Sequence, residues 1–67
     1  MADNNQLEIL SQGVAAWNKW REENPDVLID LNRAKLMHMN LENANLAKAD
    51  LKKANLAFTN FKNANLV

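Results

Sequence analysis

Few side chains in this sequence could perform chemistry, and their spacing forms no catalytic constellation. His38 is the sole histidine, cysteine is absent, and Gly13 is the sole glycine. A histidine without neighbouring cysteines or carboxylates is more typical of a surface residue than of a metal ligand or a base. One glycine cannot form a glycine-rich phosphate loop, and Ser11 has no histidine or aspartate at a useful spacing. We therefore predict a protein that is not an enzyme and that binds no metal, cofactor or small-molecule substrate.

The segment before Pro25 has the pattern of an amphipathic helix. Asp3, Asn4 and Asn5 are candidate N-cap residues. Asn24 should end the helix, because a residue before proline is displaced from the α region. Two stripes with spacings of three and four form one apolar face: Leu7, Leu10, Val14, Trp17, Ile9, Gly13, Ala16 and Trp20. We predict a single helix within residues 1–24.

Three positions in this helix carry more specific expectations. Glycine in a helix interior is less stable than alanine by roughly 1 kcal/mol. The place of Gly13 on the apolar face therefore predicts close approach to another backbone. Gln6 and Asn18 fall on the opposite face and are expected to lie in solvent.

The pattern changes after the helix. Residues 25–30 should be an extended connection, because Val27 and Ile29 alternate with Asp26 and Asp30. Beyond it, Leu or Phe recurs every five residues, at positions 31, 36, 41, 46, 51, 56, 61 and 66. The residue before each is mostly Asn or Asp, and the residue two before is mostly Ala. A period of five fits neither a helix nor a strand, so it indicates a repeated bend in a stacked architecture.

Four of these units show the repeat most clearly: Ala44-Asn45-Leu46, Ala49-Asp50-Leu51, Ala54-Asn55-Leu56 and Ala64-Asn65-Leu66. The run resembles the pentapeptide-repeat family, whose motif is a small residue, Asn or Asp, Leu or Phe, and two polar residues. The resemblance covers residues 29–67 and implies an all-β solenoid, a right-handed quadrilateral β-helix with four units per coil. The stretch 17–21 also looks like the capping helix ahead of such repeats in some bacterial members. It therefore implies a bacterial protein of the cyanobacterial type.

Eight units make about two coils, so residues twenty apart should stack. Leu or Phe and the small residue should point inward, while the Asn or Asp side chain bonds nearby turn backbone. Ile29 and Met39 are large residues at small positions of the first coil. We expect them to contact the apolar face of the helix at Leu7, Leu10, Val14 and Trp17. The predicted organisation is a capping helix over 1–24, a connection over 25–30 and a solenoid over 31–67.

Length and charge restrict the class of protein. The chain has 67 residues, enough for one domain near the lower limit for a self-sufficient core. Residues 1–30 carry two basic against six acidic side chains, a net of −4, whereas residues 31–67 carry six against two, a net of +4. No secretory signal or membrane-spanning run is apparent. Without cysteine, the chain is expected in the cytoplasm.

The predicted outer surface offers three candidate contact regions. An apolar patch, unusual on a polar solenoid, should consist of Met37, His38, Ala57 and Phe58. A basic face should consist of Arg33, Lys35, Lys52 and Lys53. A region for end-to-end contact should consist of the inward residues of the second coil, Leu51, Leu56, Phe61 and Leu66.

These regions favour a non-catalytic protein-interaction or scaffold module over other functions. Two alternatives are open: a DNA-mimic regulator of DNA gyrase, as the family resemblance implies, and a fragment of a longer repeat protein. The net basic charge of the repeats does not fit DNA mimicry, and direct nucleic-acid binding is not expected because no aromatic residues interleave with the basic ones. The uncovered second coil predicts a protein partner or self-association, with an end-to-end homodimer as the closed arrangement.

Overall fold

The chain forms two short helices followed by stacked turns. A computed structural model describes residues 2–67 and contains α1 (Asn4–Ser11) and α2 (Val14–Glu23). Within that range no strand forms; instead four isolated parallel bridges join residues twenty apart, Asp30 to Asp50, Lys35 to Asn55, Asn40 to Asn60, and Asn45 to Asn65. The prediction that residues twenty apart stack on each other is confirmed. The strands expected of an all-β protein are not observed in the described residues.

The prediction of one N-terminal helix is wrong, because the helix breaks at Gly13. Asp3 is the N-cap of α1, and its side chain accepts a hydrogen bond from the Gln6 N–H. At the other end, the Gln12 and Gly13 N–H groups close α1 by bonding Ile9 and Leu10 carbonyls. Gly13 then has a φ of 113°, which side-chain-bearing residues rarely adopt.

The reason given for Gly13 was therefore also wrong. A Cβ added there would meet no atom within 4 Å, so no other backbone approaches it closely. The residue is needed for its conformation, which turns the chain between α1 and α2.

A turn, rather than extended chain, follows α2. The Asn24 N–H and side-chain amide both bond the Trp20 carbonyl, at 2.9 and 3.0 Å, and the Val27 N–H bonds back to Asn24. The turn and a bend cover residues 25–27, and the first bridge residue is Asp30. Consequently Val27 is exposed and Ile29 is buried, although the sequence pattern placed both on one apolar face.

The first seven of the eight units contain the same turn. After Leu31, for example, the Ala34 N–H bonds the Leu31 carbonyl at 3.1 Å, and Arg33 between them has a φ of 62°. This left-handed residue at the third position is the signature of a type II turn. The same conformation recurs at seven non-glycine residues, Arg33, His38, Asn43, Lys48, Lys53, Phe58 and Asn63.

The Asn or Asp of the motif stabilises the turn, as predicted. Its side-chain oxygen accepts a hydrogen bond from the N–H two residues later, for example Asn32 to Asp30 at 3.1 Å and Lys52 to Asp50 at 3.0 Å. Lys35 replaces the motif residue in the second unit and cannot accept such a bond. A strict five-residue motif is therefore a side-chain-stabilised turn repeated at constant spacing.

Backbone hydrogen bonds hold the two coils together. In the first bridge, the Asp50 N–H bonds the Ile29 carbonyl and the Leu31 N–H bonds the Asp50 carbonyl, both at 2.9 Å. The same pair of bonds recurs at the other three bridges, with a further bond at each corner, such as Arg33 N–H to the Lys52 carbonyl at 2.9 Å. The first coil is thus joined to the second by backbone hydrogen bonds at every bridge and every corner.

The core lies in the first coil, between the helices and the second coil. Its leucines, Leu31, Leu36, Leu41 and Leu46, are fully or almost fully buried, together with Leu10 and Trp17 of the helices. Ile29 belongs to this cluster and Met39 packs against it, as predicted. Burial of each such side chain stabilises the fold by about 1.5–3 kcal/mol. Leu10 and Trp17 contribute because the helices pack on the first coil.

Candidate interaction surfaces

The helical segment hydrogen-bonds backbone groups of the first coil that point away from the second coil. A further coil stacked on that side would bond the same groups. In each bridge, the first-coil residue directs its own N–H and C=O away from the second coil. At Asp30 these groups meet Gln6 Oε1 (2.8 Å) and the Asp3 N–H (3.0 Å). At Asn45 they meet Asn18 Oδ1 (2.8 Å) and the indole N–H of Trp17 (2.8 Å).

Arg21 adds a charged contact at the same corner as Asn45. Its guanidinium donates to the Asn45 carbonyl at 2.9 Å and to the Ala47 carbonyl at 3.1 Å. Partial burial lowers the pKa of Arg21, yet a guanidinium stays charged at physiological pH. Arg21 therefore ties α2 to two backbone acceptors of the first coil.

Sequence reasoning placed Gln6 and Asn18 in solvent, and this was wrong. Gln6 is only 4% exposed and also donates from Nε2 to the Leu28 carbonyl at 2.9 Å. A signal was present within each helix: Gln6 lies four residues before Leu10 in α1, and Arg21 lies four residues after Trp17 in α2. The polarity of Gln6 concealed its position on the face that contacts the coil.

The apolar patch lies on the outside of the two coils. His38 and Phe58 occupy equivalent corners, and their rings stack with centroids 5.1 Å apart and planes 5° from parallel. Phe58 is 83% exposed and Met37 37% exposed, and Ala57 is also exposed. The structure therefore places the four predicted patch residues together at the surface, with a flat pair of rings at the centre.

The basic face is arranged around the preceding corner. Arg33 and Lys53 occupy equivalent positions with φ of 62° and 60°, and Lys52 lies beside them through its bond from the Arg33 N–H. Lys35 lies on the next side, at the bridge to Asn55. All four cations are exposed, three of them at the corner and Lys35 on the next side of the coil.

The residues proposed for end-to-end contact lie at the far side of the second coil. Leu51, Leu56 and Phe61 are half-buried, and Leu66 is 51% exposed. Their first-coil counterparts are buried because the helices lie above them. The helices cover only the first coil, and for this reason its apolar residues are more buried than those of the second coil.

Several hydroxyl and carboxylate side chains make hydrogen bonds within the fold. Thr59 donates its hydroxyl to the Leu36 carbonyl at 2.8 Å, and Ser11 donates to the Glu8 carbonyl at 2.6 Å. Asp30 and Asp50 stack across a bridge and each caps a turn. In the described residues, no group of three His, Asp or Glu side chains could hold a metal ion. Across the same range, neither helix is long and apolar enough to cross a membrane.

The turn, the twenty-residue stacking and the buried leucines define a repeat protein built from five-residue units. The Pentapeptide repeats family matches residues 29–66 with 8 copies of the unit, and the chain therefore belongs to the pentapeptide-repeat family. No curated protein and no solved structure matches the chain. Membership of this family favours a non-catalytic repeat protein.

Proposed function

We propose that this protein is a non-catalytic interaction or scaffold module. In this proposal the repeats form a right-handed quadrilateral β-helix of about two coils, capped by α1 and α2, in a cytoplasmic protein of bacterial, cyanobacterial-type origin. The single observation that carries the functional part is the stacked pair of His38 and Phe58 at the centre of an apolar patch. An exposed aromatic surface beside Met37 is the kind of anchor that interfaces bury.

A comparison of two corner substitutions tests this role. Phe58→Lys removes the exposed ring, whereas Asn63→Lys makes the same new side chain at the next left-handed corner. Affinity capture with each variant as bait should lose the partner of the wild-type protein only with Phe58→Lys. Equal capture by both variants would show that the patch is not the contact.

Self-association through the second coil is the other part of the proposal. The bridge pattern directs the N–H groups of Leu51, Leu56 and Phe61 away from the first coil, next to their own half-buried side chains. The helices occupy the opposite face, so a head-to-tail stack is hindered. The far sides of two chains can instead meet symmetrically, which closes the assembly as a dimer.

Sedimentation velocity over a range of concentrations tests this contact. We expect a dimer for the wild-type protein, a monomer for Phe61→Asp, and an unchanged dimer for Phe58→Asp, whose side chain points outward on the same coil. A folded wild-type monomer at micromolar concentration would exclude the end-to-end contact. Amide exchange provides a second readout, since the Leu51 and Leu56 N–H groups should be protected only in the dimer.

A further inference from the structure

The two helices leave half of the upper edge of the first coil without hydrogen-bond partners. Lys35 and Asn40, like Asp30 and Asn45, bridge to the second coil and direct their own N–H and C=O toward the helices. Asp30 is satisfied there by the Gln6 side chain and the Asp3 N–H, and Asn45 by the side chains of Asn18 and Trp17. Within residues 2–67, no group bonds the backbone N–H or C=O of Lys35 or Asn40.

A groove lies over the first of these two positions. Its volume is about 380 Å³, and it runs between α1 and the first coil. Leu7 of α1 forms one wall, while Leu36 and Met39 line the other. Among the described residues, the charged side chains that line it are Arg33 and Lys35, both exposed.

We propose that this groove binds an extended acidic peptide, which adds to the open edge at Lys35 as a short strand. The proposal rests on the role as an interaction module but uses a different surface from the patch. Three features define the occupant. The edge offers a backbone N–H and C=O, which match the backbone of an extended peptide. The apolar walls match a row of apolar side chains on one face of that peptide, and the two cations match carboxylates on its other face. A partner segment of alternating apolar and acidic residues satisfies all three.

The bonds follow from the pattern between the coils. The Asn55 N–H donates to the Ala34 carbonyl, and the Leu36 N–H donates to the Asn55 carbonyl. A parallel peptide would receive the Lys35 N–H at one carbonyl and donate the N–H two residues later to the Lys35 carbonyl. Asn40, around the next corner, offers the same pair of groups to a longer segment.

The peptide acetyl-Leu-Asp-Val-Asp-Leu-amide is a direct probe, followed by two-dimensional amide NMR of the full chain. We expect saturable binding, with shifts and increased exchange protection at Lys35 and unchanged protection at Asp30 and Asn45. Two further peptides carry N-methyl groups on alternate residues, one on the Leu and Val positions and one on the Asp positions. One of them should lose binding and the other keep it, because only alternate N–H groups face the edge.

Charge reversal distinguishes the groove from general basic attraction. Arg33→Glu should weaken binding about tenfold, while Lys53→Glu, at the equivalent corner one coil below, should change it less than about twofold. The double variant Met37→Ser with Phe58→Lys should bind the peptide normally, which separates this proposal from that of the patch.

Several results would overturn the groove proposal. They are no binding at millimolar peptide, equal binding of both N-methylated peptides, equal binding of a version with Lys in place of Asp, or binding without protection at Lys35. Displacement of the peptide only by single-stranded oligothymidine, with tighter binding of that strand, would assign the groove to nucleic acid instead.

Discussion

Replacement of Gln6 by Ala should destabilise the protein more than any other single change on the polar side of α1. Gln6 is 4% exposed and joins α1 to the first coil through two hydrogen bonds, 2.9 Å to the Leu28 carbonyl and 2.8 Å from the Asp30 N–H. Each bond contributes about 0.5–1.5 kcal/mol net, and a buried donor left unpaired costs about 1–3 kcal/mol. We therefore expect a loss of about 2–3 kcal/mol in the free energy of unfolding, or roughly 8–24 °C in Tm.

The control is Gln12→Ala, at an exposed position next to the helix break. An exposed substitution of this kind should change the free energy of unfolding by less than about 0.5 kcal/mol. Urea unfolding followed by circular dichroism gives both values, and amide exchange shows whether the Asp30 N–H has lost its protection. Equal stability of the two variants would refute the inference that the Gln6 hydrogen bonds hold α1 on the first coil.

Three further outcomes follow from the packing and the turns. Trp17→Phe should cost about 1–3 kcal/mol, because it keeps an aromatic ring in a fully buried site but removes the indole bond to a first-coil carbonyl. Lys53→Gly should stabilise the protein by about 1 kcal/mol, because glycine relieves the strain of its left-handed φ of 60°. Lys52→Gly should instead destabilise it by about 0.5–1 kcal/mol. Thermal unfolding of the two variants is the test, since Tm should rise for the first and fall for the second. Leu41→Ala should cost about 2–5 kcal/mol against about 1 kcal/mol for Leu66→Ala, since Leu41 is fully buried and Leu66 is half exposed; similar losses in urea would contradict the location of the core.

The repeat could be predicted because each unit is a local device. Its turn combines a leucine carbonyl with a left-handed residue, and in most units an Asn or Asp side chain adds a bond within the same five positions, as at Asp50, Leu51 and Lys53. Constant spacing keeps the units in register, whereas the prediction of four units per coil, and therefore of contacts twenty residues apart, came from the family resemblance. The helix break was missed because a glycine in an apolar stripe fits either a crowded helix or a left-handed turn.

By itself, the sequence determined the five-residue period and the apolar position in each unit, such as Leu31, because these depend on contacts that every unit repeats. Only the tertiary structure decided how the helices meet the first coil. That contact is made once, by polar side chains such as Gln6 and Asn18, whose burial depends on backbone groups distant in sequence. The same contact decided that Asp30 and Asn45 have hydrogen-bond partners on the helices' side of the coil while Lys35 lines a groove. The two short helices bond the bridge residues Asp30 and Asn45 rather than Lys35 and Asn40, and no periodicity in the sequence records this choice.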